Sequence, residues 1–270
     1  MLVGPETKST HQINHSVVFR IAHLFYVGRP LEGLQLEAGT AVKALAQINQ
    51  VSLKLYCQIY VFVAKKLRGD NSECDLDLDG ITKLAKEANN QTLHDWILLN
   101  KLHLNVYFGD WEDATNTLVE SGDLRLELQG QFNVCRFTFI EGLVSIRAAH
   151  AAKTLFKRMI WKKKALRSMK LIRGWVKKGS VNLVHFLHLL EAEYAALGGK
   201  HKKAEEGYRS AISVATRNGF MHDRALSHEM ASAYYASRND EYWKNYHVEC
   251  CKKSYTDWGA MAKVEQLSVE

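Results

Sequence analysis

The sequence predicts an all-α protein built as an α-solenoid of stacked antiparallel helix pairs. Three observations carry this prediction. A short turn phrase recurs along the chain, only two prolines (Pro5 and Pro30) occur in 270 residues, and apolar residues follow helical spacing nearly throughout. An all-β architecture would need turn residues every 8–12 positions or so. The chain does not supply them, so long helices are the favoured elements.

The recurring phrase is a small turn residue followed, after a polar or aromatic stretch, by an alanine that opens a helix. It runs from Gly109 to Ala114 and again from Gly199 to Ala204, and the second copy continues into Tyr208. Small residues at the turn and at the contact points let two antiparallel helices approach closely. This pattern is typical of tetratricopeptide-like repeats, which stack into arrays that hold partners.

The periodicity indicates twelve helices, and breakers mark their ends. Pro30 ends the first helix, the glycine at 109 separates the fifth from the sixth, and Gly179 with Ser180 ends the eighth. The predicted helices span residues 15–27, 31–47, 51–67, 81–87, 92–108, 111–120, 132–150, 155–176, 183–197, 202–216, 223–236 and 242–258.

The last four helices form the clearest pairs. Asn239 and Asp240 stand at the final turn where the copy at residues 199–200 has Gly-Lys, and a weaker copy begins at Gly28. The alternative to a repeat array is an irregular helical bundle that shares these hairpin turns by chance. We predict N-terminal repeats at residues 11–150, and at residues 151–266 a basic helix with C-terminal repeats continuous with the first half.

Composition limits where the protein works. The first ten residues have neither the basic nor the apolar region of a secretory signal. The most apolar stretch, residues 51–64, contains Lys54 and is shorter than the ~20 residues that cross a bilayer. The five cysteines show no CxxC spacing, which favours reduced thiols packed in helices over a disulfide or zinc framework. We therefore expect a cytoplasmic protein with no membrane span.

No motif for catalysis emerges, and we predict a non-enzyme without cofactor, metal or small-molecule substrate. Residues 75–80 imitate the start of an EF-hand loop, but Lys86 stands where that loop needs a bidentate Glu, so an acidic surface loop is favoured. His185 and His188 share a helix face without the spacing of a metalloprotease. Residues 198–200 lack the frame of a phosphate-binding loop.

One compositional anomaly stands out in a chain of net charge +7. Residues 142–190 contain no Asp or Glu but twelve Lys or Arg, on a helix whose apolar stripe includes Ala165 and Ile172. A solvated outer face of a core helix explains this run without function. An anionic partner, whether an acidic protein, a membrane headgroup layer or a nucleic acid, is the functional alternative, and its sharpest form is a docking surface for an acidic partner segment. Carboxylates of the same chain near residues 191–193 or 205–206 are the other source of counter-charge. The predicted members of the docking surface are Lys157, Lys162, Lys163, Lys164, Lys170 and Lys177.

Several phrases in order resemble a known module. They lie at residues 25–32, 106–111, 137–143, 182–185, 190–194, 218–220 and 225–229, and the chain closes with Trp-Gly-Ala-Met-Ala-Lys-Val at 258–264. Together they are similar to the helical segment after the AAA-type NTPase domain of very large sensor proteins. Those proteins also carry a serine/threonine-kinase-like domain, a GAF domain and a histidine kinase. Since the shared motifs concern packing, the resemblance implies no catalytic residue here.

The sequence therefore favours a non-catalytic protein-interaction and regulatory solenoid, related to signal-transduction ATPase–kinase proteins as a fragment or relic. The resemblance spans roughly residues 17–267, with departures such as Lys244 where a small residue is usual. A basic helical nucleic-acid-binding protein is the alternative. That function would need the cations on one continuous surface with exposed aromatic side chains for stacking. The spacing of Trp161 and Trp175 predicts that both are buried instead.

Overall fold

The computed structural model describes residues 5–72, 77–126, 128 and 132–269, with side chains from residue 15 onward. Within these residues the protein is all-α, with thirteen α-helices and no strand. The helices are α1 (Pro5–Tyr26), α2 (Leu31–Gln47), α3 (Val51–Arg68), α4 (Leu78–Glu87), α5 (Gln91–Phe108), α6 (Trp111–Ser121), α7 (Asn133–Ala151), α8 (Leu155–Lys177), α9 (Val184–Leu197), α10 (His201–Arg217), α11 (Met221–Ala236), α12 (Glu241–Trp258) and α13 (Met261–Val269).

The turn phrase is a left-handed helix C-terminus. Gly109 has φ +76° and Asn239 has φ +58°. The amide that follows the left-handed residue donates back across the turn: Asp110 N–H to Asn105 O at 2.8 Å, and Asp240 N–H to the carbonyl five residues before it at 3.0 Å. This is the Schellman arrangement, which satisfies carbonyls that the helix end leaves free. Glycine or asparagine is required there because other side chains clash at positive φ.

Neighbouring helices pack in antiparallel pairs, as predicted for a solenoid-like fold. The pairs are α2 with α3, α7 with α8, α9 with α10, and α11 with α12. Ala204, Tyr208 and Ala211, which lie on the helix that follows the second copy of the turn phrase, are all buried. The boundary predicted at residue 150 falls between α7 and α8, which pack against each other. The division into two halves stays a prediction.

The end of the chain packs against its beginning, which the periodicity did not predict. No helix was expected after residue 258, yet α13 forms there and contacts α3. Trp258, fully buried, donates its indole N–H to Arg29 O at 3.1 Å. Lys263 is 1% exposed and pairs with Glu229 at 2.8 Å. A nine-residue helix is too short to be stable alone, so these contacts hold α13 in place.

A polar cluster lies at the centre of the four helices α5, α7, α9 and α11. Arg136 donates to both carboxylate oxygens of Asp223, at 2.8 and 3.0 Å. His185 Nε2 lies 2.9 Å from the same carboxylate. Arg136 also donates to the Tyr107 hydroxyl at 3.2 Å. None of these four side chains is more than 2% exposed, so the cluster does not meet a substrate from solvent and instead fixes the mutual positions of four helices.

Burial also keeps neighbouring imidazoles neutral. Loss of hydration lowers the pKa of His222 to about 3 and the pKa of His103 well below its usual range, and the nearby Arg136 charge lowers both further. Burial likewise lowers the pKa of His228 to about 3, and the neighbouring His247 imidazole and the Arg224 charge lower it further. An imidazole in the unfolded chain titrates near 6.5. The unfolded state therefore binds more protons than the folded state below that pH.

This difference predicts acid lability. Because the folded-state pKa values of these histidines are depressed, their stabilising effect is complete above pH ~6.5 and is lost as pH falls towards 3. We expect the free energy of unfolding to drop between pH 7 and pH 5 by about 2 kcal/mol for each fully buried histidine. Urea titrations at both pH values measure it. His228→Gln should make the dependence shallower, whereas equal stability at pH 7 and pH 5 would contradict the prediction.

Candidate functional site

The basic helix α8 begins and ends at clear signals. The Thr154 hydroxyl accepts from the Lys157 amide at 3.3 Å and caps the first turn, as a threonine N-cap does. Gly179, with φ +100°, follows its last turn. Ala165, Met169 and Ile172 are buried along one side. The predicted apolar stripe is thus the face that packs on the core.

The six lysines predicted as one docking surface do not share a face. Lys163, Lys170 and Lys177 repeat every seven residues and are exposed on the outer side of α8. Lys157 is exposed on the first turn. Lys162 instead faces α9, with its ammonium 5.5 Å from the ring centre of Tyr194. The six lysines therefore do not form one continuous surface. Lys163, Lys170 and Lys177 form a row on the outer side of α8, whereas Lys162 faces α9.

Lys164 points the opposite way, towards the interior. Its ammonium lies 3.6 Å from the buried Glu141 carboxylate. Glu141 also accepts from Arg125 at 2.7 and 3.2 Å and from the Ser168 hydroxyl at 2.7 Å. A buried carboxylate needs such partners because it has lost its hydration. Lys164 is consequently part of the fold and not of a free docking surface.

Other cations of the acid-free run find carboxylates elsewhere in the chain. These pairs are Arg147 with Glu193 at 3.2 Å, Arg167 with Asp123 at 3.4 Å, and Arg173 with Glu191 at 2.7 Å. Glu191 and Glu193 lie in the segment that the sequence offered as a source of counter-charge, whereas Asp123 was not expected to pair with the run. The positive potential that remains belongs mainly to the lysines.

Exposed apolar side chains accompany the lysines, a feature that sequence reading missed. Leu155, Phe156 and Met159 are 80%, 73% and 68% exposed, and Ile160 and Leu166 are about half exposed. Helical spacing places Phe156 and Ile160 opposite the buried stripe, and Leu155, Met159 and Leu166 on the flank of α8 that carries Lys162, which was the signal available in the sequence. Apolar groups clustered on an exposed helix face are typical of interaction surfaces.

A groove of about 800 Å³ separates α8 from α10, with α9 as its floor. Lys162 and Met169 line it from α8, and Lys200 and Lys203 from the turn and first residues of α10. Met159 and Leu166 do not line the groove, but they are exposed about one turn before and after Lys162, on the flank of α8 that carries this lysine. Two carboxylates also line the groove: Glu191, which pairs with Arg173, and Glu206. The groove therefore combines an excess of lysines with apolar edges.

His185 and His188, the two histidines that share a helix face in the sequence, lie in different environments. His185 is buried against Asp223, whereas His188 lines the groove. Among the described residues, no group of three or more His, Cys, Asp or Glu side chains is placed to hold a metal ion. In the EF-hand-like run, residues 75 and 76 lie outside the described residues. Asp77 caps α4, accepting from the Gly80 amide at 2.7 Å.

Four cysteines, Cys57, Cys135, Cys250 and Cys251, are free thiols on helices, as expected. Cys74 lies outside the described residues. Burial raises the pKa of the Cys57 thiol to about 12, which keeps it protonated. No helix in the described part of the chain has the length and apolar character needed to cross a membrane.

Comparisons with protein-family models, with curated proteins and with solved structures found no match to this chain. The resemblance to the helical segment of large sensor proteins therefore stays a prediction.

Proposed function

We propose that this protein is a non-catalytic cytoplasmic interaction scaffold that binds an acidic, amphipathic segment of a partner protein between α8 and α10. The observation that carries the proposal is the groove, where Lys162, Lys200 and Lys203 converge and Met159 and Leu166 stand exposed beside them. The regulatory role within a signalling protein rests on the sequence resemblance alone.

The chemistry of the groove defines the segment that fits it. On α8, Met159, Lys162 and Leu166 follow one another at intervals of three and four residues. A partner helix with carboxylates interspersed among leucines at the same spacing would place acids on the lysines and apolar side chains on the exposed methionine and leucine. Complementary charge would speed encounter and set orientation, and apolar burial would supply most of the affinity.

Two observations favour a protein partner over nucleic acid. Of the aromatic side chains on α8, Trp161 and Trp175 are partly buried and pack against the core, and Phe156 alone is largely exposed, so α8 lacks the series of exposed rings on which successive bases stack. The groove also carries Glu191 and Glu206, and carboxylates repel a phosphate backbone. A nucleic-acid channel would instead combine continuous positive charge with exposed aromatic rings.

Reversing the charge of Lys162 and Lys203, which line the groove from α8 and α10, tests the proposal. We expect Lys162→Glu with Lys203→Glu to weaken binding of a synthetic peptide of alternating glutamate and leucine by at least about tenfold. Fluorescence anisotropy at low and physiological salt measures the affinity, which should fall as salt screens the exposed charges over ~8 Å. The thermal melt should stay nearly unchanged because both side chains contact solvent. Lys164→Glu is left out because it would face the buried Glu141.

A matched control is the double reversal Lys43→Glu with Lys86→Glu. It changes net charge equally, on exposed positions of α2 and α4, and should leave affinity within about twofold. If the control weakens binding as much as the reversal of Lys162 and Lys203, net charge and not the groove governs binding, and the proposal fails. If an oligonucleotide binds more tightly than the peptide, the nucleic-acid alternative replaces it.

A further inference from the structure

A second groove opens on the other flank of α10. It lies between α10 and α12, above α11, and encloses about 340 Å³. Lys203 and Gly207 line the first groove, whereas Arg209 and Ile212 line the second. Residues spaced in this way project from opposite flanks of one helix, since each residue turns the helix by about 100°. The two grooves are therefore successive inter-repeat furrows separated by the ridge of α10.

The second groove is aromatic where the first is cationic. Trp243 and Tyr246 of α12 line it and are 43% and 49% exposed. The Trp243 ring stacks towards Tyr235 at a centroid separation of 6.1 Å, and His247 lies parallel to Tyr235 at 5.5 Å. Each of these rings contacts its neighbours while leaving surface open to the groove. Such preformed aromatic walls lose little side-chain entropy when a ligand binds.

Two imidazoles belong to the lining. His228 Nδ1 and His247 Nδ1 lie 2.9 Å apart. Burial lowers the pKa of both, to about 3 and about 4, so both are neutral near pH 7 and one donates to the other. The wall beside them therefore adds no charge to the aromatic surface. The volume of the second groove is at the lower end of the range for sites that enclose a small molecule or a large side chain.

We propose that this second groove takes an aromatic side chain of the same acidic partner segment that occupies the first groove. The proposal rests on the proposed function and adds the specificity determinant. Arg209 lines the groove, which disfavours a cationic ligand and suits a segment rich in carboxylates. The only lining carboxylate within the described set, Glu205, accepts from the Tyr234 hydroxyl at 3.4 Å.

The geometry sets the spacing in the partner. Packed helices lie about 8–10 Å apart, so crossing the ridge of α10 requires about 10 Å. An extended segment advances about 3.3 Å per residue. The aromatic residue should therefore stand about three or four residues from the nearest acidic contact. A partner segment that is helical in the first groove would therefore need to be extended only over the three or four residues that cross the ridge of α10.

Two synthetic peptides test the proposal with the whole chain. Both carry the acidic amphipathic block, and one has a tryptophan four residues beyond it where the other has alanine. We expect the tryptophan peptide to bind the wild-type protein about tenfold more tightly, as burial of a large aromatic side chain predicts. Trp243→Ala should abolish this difference. Tyr242→Ala is the matched control, since Tyr242 is the adjacent residue of α12 and is 75% exposed.

The outcomes separate the two proposals. Equal binding of both peptides to wild type, with loss of binding on reversal of Lys162 and Lys203, overturns the second groove and leaves the first in place. No binding of either peptide overturns the proposed function itself. Loss of the tryptophan preference in Tyr242→Ala as well as Trp243→Ala also overturns the assignment to this groove. Unchanged thermal melts of both variants verify that folding is not the cause.

Discussion

Replacing Arg136 with methionine is expected to lower the free energy of unfolding by about 3–5 kcal/mol. The guanidinium is 1% exposed and is the cationic partner of Asp223 at 2.8 Å. Its removal would leave the Asp223 carboxylate buried without its cationic partner. A charge without hydration or a counter-ion is strongly disfavoured. Urea unfolding followed by circular dichroism measures the loss.

A double variant distinguishes the unpaired charge from lost packing. Arg136→Met with Asp223→Asn removes both charges, and it should recover part of the stability lost by Arg136→Met alone. Additive losses in the two single variants would contradict the interpretation, because they would mean that the two groups do not interact. A loss below about 1 kcal/mol in Arg136→Met would contradict it as well.

Ala204→Arg is the second substitution with a large expected effect. Ala204 is fully buried between α9 and α10. The closeness of these helices is visible three residues later, where a methyl group added at Gly207 would lie 2.8 Å from the Ala192 methyl and 3.0 Å from its Cα. A guanidinium in place of this buried methyl group would have to displace its neighbours and would lose its hydration. Overpacking and an unpaired charge together should reduce stability by at least about 3 kcal/mol.

The adjacent exposed residue provides the control for this prediction. Lys203→Arg keeps the charge at the start of α10 and should leave the melting temperature unchanged, because Lys203 is exposed. Thermal melts of both variants and of the wild type make the comparison. If Ala204→Arg melts at the same temperature as the wild type, Ala204 is not an interior contact between α9 and α10.

Local features were the most predictable part of the fold. Gly28, Gly109, Gly199 and Asn239 were chosen from the sequence as turn positions, and all four have positive φ. A left-handed residue restricts which amino acids can stand there, so the chemistry of the turn is written in the chain. The stripe on α8 was equally legible, because helical spacing alone decides which side chains share a face.

Contacts between distant residues were not predictable in the same way. Nothing near Arg136 in sequence indicates that Asp223 will pair with it, and the partner of Lys164, Glu141, lies on another helix. Helix α13 was missed because its nine residues carry too little local signal. Its stability comes from tertiary contacts, which local periodicity does not encode.

The candidate site shows the same division. Composition and spacing are properties of one segment, so the sequence alone was enough to predict that α8 is a basic helix with a buried stripe. Which of its lysines are available to a partner depends on how the helices pack. In the folded chain Lys164 faces a buried carboxylate, Lys162 lines a groove, and an aromatic groove lies on the other side of α10. Ion pairs and grooves are made by side chains from separate helices, so they exist only once those helices have packed.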